Sequence, residues 1–416
     1  MNIVIKKAVI VDALSEYNTK QVDIKIENGV ITEIANEIEL LNFDVISFNN
    51  LHVSGGWMDA SVAFGEPGFE DRETIENGLQ TAAKSGFTHV AYQPNTSPVI
   101  DNQSVVSFVK SKAAHQATSL HPIGALTKNQ EGKDLSEMFD MQNAGAIAFG
   151  DYKKSIENAN LLKIALQYVQ DFKGTVIAFC NDATIKGKGV VHEGVQSTNL
   201  GLKGIPELAE EVVLARNLFL LEYTGGKMHV PTISTAKSVA LIKEAKAKGL
   251  QVSCSVAVHN LVLTDKVLVD FDTRYKVNPP LRDEFHRQAL IEGVLDGTID
   301  SITSDHCALD IEHKKMEFDL AKDGTIGLES AFGALLTVLP LQVVVDKLQT
   351  AKTIFLNKNE SIKVGQLADL TLFNPLKEWM FTKDNILSKS KNAAFLNQPM
   401  KGEVYGIVNN NQLIVK

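Results

Sequence analysis

Five side chains capable of metal or proton chemistry follow short apolar runs. They are Asp151 in AFGD, His229 in KMHVPT, His259 in SVAVHN, and Asp305 with His306 in SITSDH. Carboxylates and imidazoles at strand ends can bind a divalent cation, activate water or carry a proton. A zinc cage needs three or four such ligands converging on one point. Here they are scattered, and His229 lies three residues from Thr232, which places the two on opposite faces of a strand. His259 and His306 also suit satisfied structural positions. Two amides complete the set. Asn95 in QPNTSP can orient a polar ligand, although an Asn in such a turn also shapes its own loop. Asn278 precedes Pro279 and must be extended whatever it binds. Cys180, Cys254 and Cys307 are odd in number, widely spaced and without a CxxC pair, which excludes a disulfide framework or a Cys-rich zinc site. Cys180 and Cys307 read as separate buried thiols.

These residues need a scaffold that brings distant strand ends together. Between them the chain alternates apolar β segments with helical periods. GFTHVAYQPN, GAIAFGD, GTVIAFCND, KMHVPTIS, GLQVSCSVAVHN and GTIDSITSDH read as strands, and GGWMDASVAF precedes them. ETIENGLQTAAKSG and STAKSVALIKEAKAKG read as helices, the second capped at Ser234 or Thr235 and stopped at Gly249. Strand and helix alternating over this length predict a parallel sheet with helices outside. About eight units would close a TIM (β/α)8 barrel, whose chemistry sits at the C-terminal strand ends. An open doubly wound sheet is the rival, weakened by the lack of an early GxGxxG. The two ends differ from the middle. IVIKKAVIVD, VDIKIENGVITEIA, ADLTLFNP and GEVYGIVNNNQLIVK alternate apolar and polar residues, with turns at Asn28-Gly29 and Asn409-Asn410-Asn411. They predict a small β-sandwich-like domain made by residues 1–53 and 362–416 around a barrel of residues 54–361.

A net charge of -9 argues against nucleic acid or an anionic membrane as a partner. The N-terminus alternates rather than running apolar, which does not fit a signal peptide. AFGALLTVLPLQVVV, residues 331–345, is too short to span a bilayer and is broken by Pro340, so it predicts two buried helices. The expected location is the cytoplasm.

In order along the chain, GEPGFEDRETIENG, QPNTSPVID, VHEGVQSTNLGLKGIPELAEE, TRYKVNPPLR, GTIDSITSDH, IGLESA and VGQLADLTLFNP resemble the segments of a dihydroorotase. The likeness is to the aspartate-carbamoyltransferase-associated type of the amidohydrolase superfamily and covers essentially the whole chain. It implies a zinc-dependent hydrolase of a cyclic amide, with Asp305 as the proton shuttle and Asn95 and Asn278 against the substrate. It also implies that the zinc ligands have been replaced. The family's H-x-H falls on Ser61 and Ala63, and its later histidines fall on Phe179 and Thr232. Its substrate arginine falls on Gly65, and the histidine of DHAPH on Leu309. Asp151 and Asp305 are retained. Phe64 and Phe179 are expected to fill the vacated space.

Two functions follow from the resemblance. The first is an inactive dihydroorotase-like protein of pyrimidine biosynthesis, with no cofactor, serving as a structural partner of aspartate carbamoyltransferase and itself homo-oligomeric. The alternative is an active cyclic amidohydrolase with one metal on Asp151 and Asp305, or with zinc on an unrecognised set such as Asp151, Cys180, Asp305 and His306.

Overall fold

A computed structural model describes residues 1–40 and 43–416. Eight strands lie parallel and side by side in chain order: Trp57–Ala63, Phe87–Tyr92, Ser119–Gly124, Ala148–Phe149, Thr175–Ile177, Lys227–Val230, Val252–Ala257 and Ser301–Thr303. His306–Cys307 then pairs in parallel with Val62 and Ala63 and nearly closes the ring. Asp59 reinforces this seam, because its carboxylate accepts from the Thr303 hydroxyl and from the Ser304 N–H, the latter at 2.9 Å. The result is a TIM-type barrel. Ser119–Gly124 is the strand that apolar alternation does not reveal, since SLHPIG carries Pro122 where a ladder donor is expected.

The interior and exterior of the barrel hold separate cores. Met58, Ala60, Ala91, Ile123, Ala148 and Ile177 come from five consecutive strands and meet Ala351 and Phe355 of the helix Leu341–Leu356. Of the two buried helices expected around Pro340, Leu328–Leu335 is buried throughout, whereas Leu341–Leu356 buries one face only. No helix among the described residues is long and apolar enough to cross a membrane. The larger cluster lies between strands and outer helices, with Trp57, Phe87, Phe332 and Phe373 packed ring on ring. The helix Ile75–Lys84 is capped by the Thr74 hydroxyl, and Ala236–Ala247 by that of Thr235.

Strands from both ends of the chain form one eight-stranded sheet over its own apolar cluster. His52–Gly55 is the joint. It pairs in parallel with Asn2–Ile10 and antiparallel with Leu370–Met380. One residue later, Gly56 starts the path into the barrel. A Cβ there would lie 1.8 Å from Asp369 Oδ1 and 2.1 Å from Thr88 Oγ1. Asp369 cannot retreat easily, because Lys352 Nζ donates to its Oδ2 at 2.8 Å and His89 Nε2 lies 3.2 Å from the same oxygen. Burial opposes its charge, but Lys352 and His89 hold its carboxyl well below the usual range. Gly56→Ala is therefore expected to lower stability by roughly 1–3 kcal/mol through overpacking, read as a lower urea midpoint with an unchanged slope.

Candidate active site

The sequence-predicted residues converge at the C-terminal end of the barrel. Ser61 and Ala63 lie on the first strand, and four others follow their strands by two residues. Asp151 follows Phe149, Phe179 follows Ile177, Thr232 follows Val230 and Asp305 follows Thr303. Thr232 and Asp305 both take left-handed backbone, with φ 48° and 51°. Such positions are strained for residues with a Cβ and cluster at functional sites.

The centre of the mouth is an ion pair. Lys153 Nζ lies 2.6 Å from Asp305 Oδ2, with the two side chains 13% and 2% exposed. The Ser61 hydroxyl donates to Asp305 Oδ1 at 3.2 Å, and the Gln93 amide donates to Ser61 Oγ at 3.1 Å. Burial raises the Asp305 pKa, and the charge and hydrogen bond of Lys153 oppose that rise without cancelling it. Asp151 is engaged elsewhere. Its carboxylate accepts from the Thr127 N–H at 3.0 Å and from the Thr127 hydroxyl at 2.5 Å. Its pKa is raised by burial, with the Thr127 bonds opposing.

The donor set of the mouth does not fit zinc. A methyl, a phenyl ring and two hydroxyls at Ala63, Phe179, Ser61 and Thr232 supply no imidazole, and one Asp305 oxygen already holds an ammonium. The set Asp151, Cys180, Asp305 and His306 is not assembled. Cys180 donates to the Ala178 carbonyl and accepts from Asn217. His306 is fully buried, with Nε2 2.8 Å from Glu73 and Nδ1 facing the Gly327 N–H at 3.3 Å. It is structural. Burial disfavours its cation, but Glu73 beside it raises the pKa. Among the described residues one group of three potential ligands converges, His192, Glu207 and His286. It lies away from the mouth, and its tautomers oppose coordination. His286 Nδ1 accepts from the Ala236 N–H and His192 Nδ1 from Arg282, so both Nε2 atoms carry hydrogens.

Three expectations change. His229 does point into the barrel. The strand ends at Val230, so alternation does not carry through Pro231 to Thr232. Its nitrogens meet the Ser253 and Ser255 hydroxyls at 2.9 and 3.2 Å, and its ring packs on Phe355. Phe64 does not fill the mouth but lies against Tyr92 and the helix Ile75–Lys84. The space beside Asp305 is lined by Ala63, Cys307 and Leu309 with Tyr152. His259 is on the short helix Val258–Val262 rather than on a strand. Burial first, and then Lys153, lower its pKa to about 3, so it is neutral, and neither ring nitrogen has a partner.

An open cavity of about 540 Å³ leads in, with Asp151, Lys153, Asn181, Lys186 and Asn278 on its walls. Asn278 is 8% exposed, and Asn95 is partly buried in the loop after the second strand. The arrangement can orient a polar ligand through ammonium, amide and hydroxyl groups. It lacks the ligands to hold a divalent Lewis acid. Sequence reasoning missed Lys153. Its signal was the KK of AFGDYKK, together with the need of a buried carboxylate for a counter-charge.

Comparison with known proteins places this geometry in context. A family model described as dihydro-orotase-like matches residues 52–238. A dihydroorotase from Acetivibrio thermocellus is 40% identical over 403 residues, covering 95% of this chain and 94% of its own. One from Pelotomaculum thermopropionicum is 41% identical over 410 residues, covering 97% and 96%. In fold, the L-hydantoinase (dihydropyrimidinase) of Arthrobacter aurescens superposes with a TM-score of 0.87 at 20% identity, over 100% of this chain and 96% of that one.

Removing the ammonium tests the ion pair. Lys153→Met leaves Asp305 buried and unpaired, an expected loss of roughly 3–5 kcal/mol at neutral pH. Losing the downward pull raises the Asp305 pKa further, so the folded variant binds its proton more tightly than the unfolded chain does. Its deficit against the parent should therefore shrink as pH falls through the carboxylate range and grow as pH rises. Lys153→Met combined with Asp305→Asn should recover much of the loss, as read by urea unfolding at several pH values.

Proposed function

We propose that this chain, which belongs to the dihydroorotase family, keeps the cyclic-amidohydrolase scaffold without the family's zinc chemistry. In this reading Ser61, Ala63, Phe179 and Thr232 stand where the family's zinc-binding histidines stood. The protein serves pyrimidine biosynthesis as a structural partner of aspartate carbamoyltransferase. The observation that carries the loss of zinc chemistry is the Lys153 ammonium 2.6 Å from Asp305. A fixed monovalent cation neutralises the carboxylate, but it cannot lower the pKa of a bound water as a divalent metal does. The partner role rests on the resemblance and on the retention of a complete fold around a site without ligands for metal.

A second reading has specific support. The relatives carry the name dihydroorotase along almost their whole length. Asn278 and Lys153, the partner of Asp305, line an accessible cavity at the barrel mouth, and Asn95 is retained in the loop after the second strand. A metal-independent cyclic amidohydrolase would use Lys153 and the amides to orient a cyclic ureide, with Asp305 moving the proton.

Elemental analysis of protein purified without chelator, with dihydroorotate turnover assayed in the same preparation, separates the two. The expected result is zinc far below one per chain, turnover at background with or without added zinc, and co-purification with the carbamoyltransferase. Turnover without bound zinc selects the second reading. Zinc near one per chain with turnover that follows it overturns both.

A further inference from the structure

Beside the barrel mouth lies a second cavity, of about 640 Å³, whose lining is unlike the rest of this acidic chain. Five lysines, Lys186, Lys188, Lys203, Lys276 and Lys322, face two acids, Asp319 and Asp323. Lys186 and Asn278 also line the mouth cavity, so the two spaces are neighbours. None of the five lysines is within ion-pair distance of a carboxylate among the described residues. Lys276 is 5% exposed, and its ammonium donates to the Asp319 carbonyl at 2.9 Å. Burial depresses its pKa, Lys186 adds to that depression, and Asp323 and Asp319 oppose it. An anion entering this space would relieve the repulsion between the lysines and the cost of burying Lys276.

The lysine-bearing wall is built rather than loose. Val191–His192 bridges Gly204–Ile205 in parallel, and the Val190 N–H donates to the Lys203 carbonyl at 2.9 Å. Gly189 permits this approach, since a Cβ there would lie 2.4 Å from the Gly204 carbonyl oxygen. Beneath, the buried Arg282 guanidinium donates to the Ile205 carbonyl at 3.1 Å, to His192 at 3.2 Å and to Ser234 at 3.1 Å. Val191, Leu268 and Phe318 form the apolar footing. The backbone that carries these lysines is therefore fixed, and they line one cavity with Lys276 and Lys322.

We propose that this groove binds a small ligand carrying two or more linked phosphates. Lysines spread over two facing walls suit several anionic groups better than one, and lysine acts toward phosphate as a point charge that needs no planar fork. The volume accommodates a nucleoside polyphosphate as readily as pyrophosphate. The site needs no metal, and its existence is independent of whether the barrel mouth turns over a substrate.

The test is isothermal titration calorimetry of the full chain with inorganic pyrophosphate and, separately, with ATP, at low and at physiological salt. Saturable binding near one per chain, weakened by salt, is expected for both. Lys188 and Lys203 are exposed, so K188E/K203E should leave the melting temperature unchanged while weakening both ligands about tenfold or more, the equivalent of about 1.4 kcal/mol. The remote exposed Lys401, changed to Glu, should leave binding unaltered. Tighter binding of ATP than of pyrophosphate supports the proposal and assigns a contribution to the nucleoside, whereas equal affinity supports recognition of the phosphates alone. Absence of saturable binding for both ligands, or equal affinities in K188E/K203E and the parent, overturns it.

Discussion

A carboxylate buried where eight strands converge must be protonated, bound to a metal or paired with a fixed cation. Asp305 is 1% exposed, and Lys153 pairs it. Much of the mouth is arranged around that solution. Ser61 turns its hydroxyl to the second Asp305 oxygen, and Gln93 steadies Ser61. The left-handed turn at Lys153, with φ 52°, brings its side chain in from just beyond the fourth strand. With the charge neutralised within the chain, the surrounding space closes with Ala63, Cys307, Leu309 and Tyr152, which would be poor company for a hydrated ion.

The supports around this centre are also polar, buried and paired. His306 and Glu73 tie the end of the eighth strand to the segment before the helix Ile75–Lys84, and Ser388 from the C-terminal part bonds the other Glu73 oxygen at 2.6 Å. Asp59 joins the first and eighth strands from inside. Arg282, in the NPPLR segment, braces the 189–205 loop. The protein thus holds the barrel mouth in shape with buried, paired polar groups. Family membership accounts for the scaffold, and the Lys153–Asp305 pair neutralises the carboxylate at its centre.

Much of the fold was legible. Alternation marked the terminal strands, and the turns at Asn28-Gly29 and Asn410-Asn411 take the left-handed backbone expected of such pairs. Of the two candidate caps, Ser234 and Thr235, the second caps its helix, and Pro340 divides the apolar run between two helices as expected. Ser119–Gly124 was hidden by its proline, and His259 looked like a strand residue because VSCSVAVHN stays apolar as the backbone changes from strand to helix at Val258. Apolar content reports burial, not backbone conformation.

The residue types by themselves determined that Ser61, Ala63, Phe179 and Thr232 offer no imidazole at the barrel mouth. They also determined the alternation of strand and helix that a barrel requires. Only the tertiary structure decided which groups meet there. That Lys153 reaches Asp305 across 152 positions, that His306 serves Glu73, and that lysines from distant segments share one groove are facts of convergence. Charges interact according to distance in space and to burial, and neither can be read from separation along the chain.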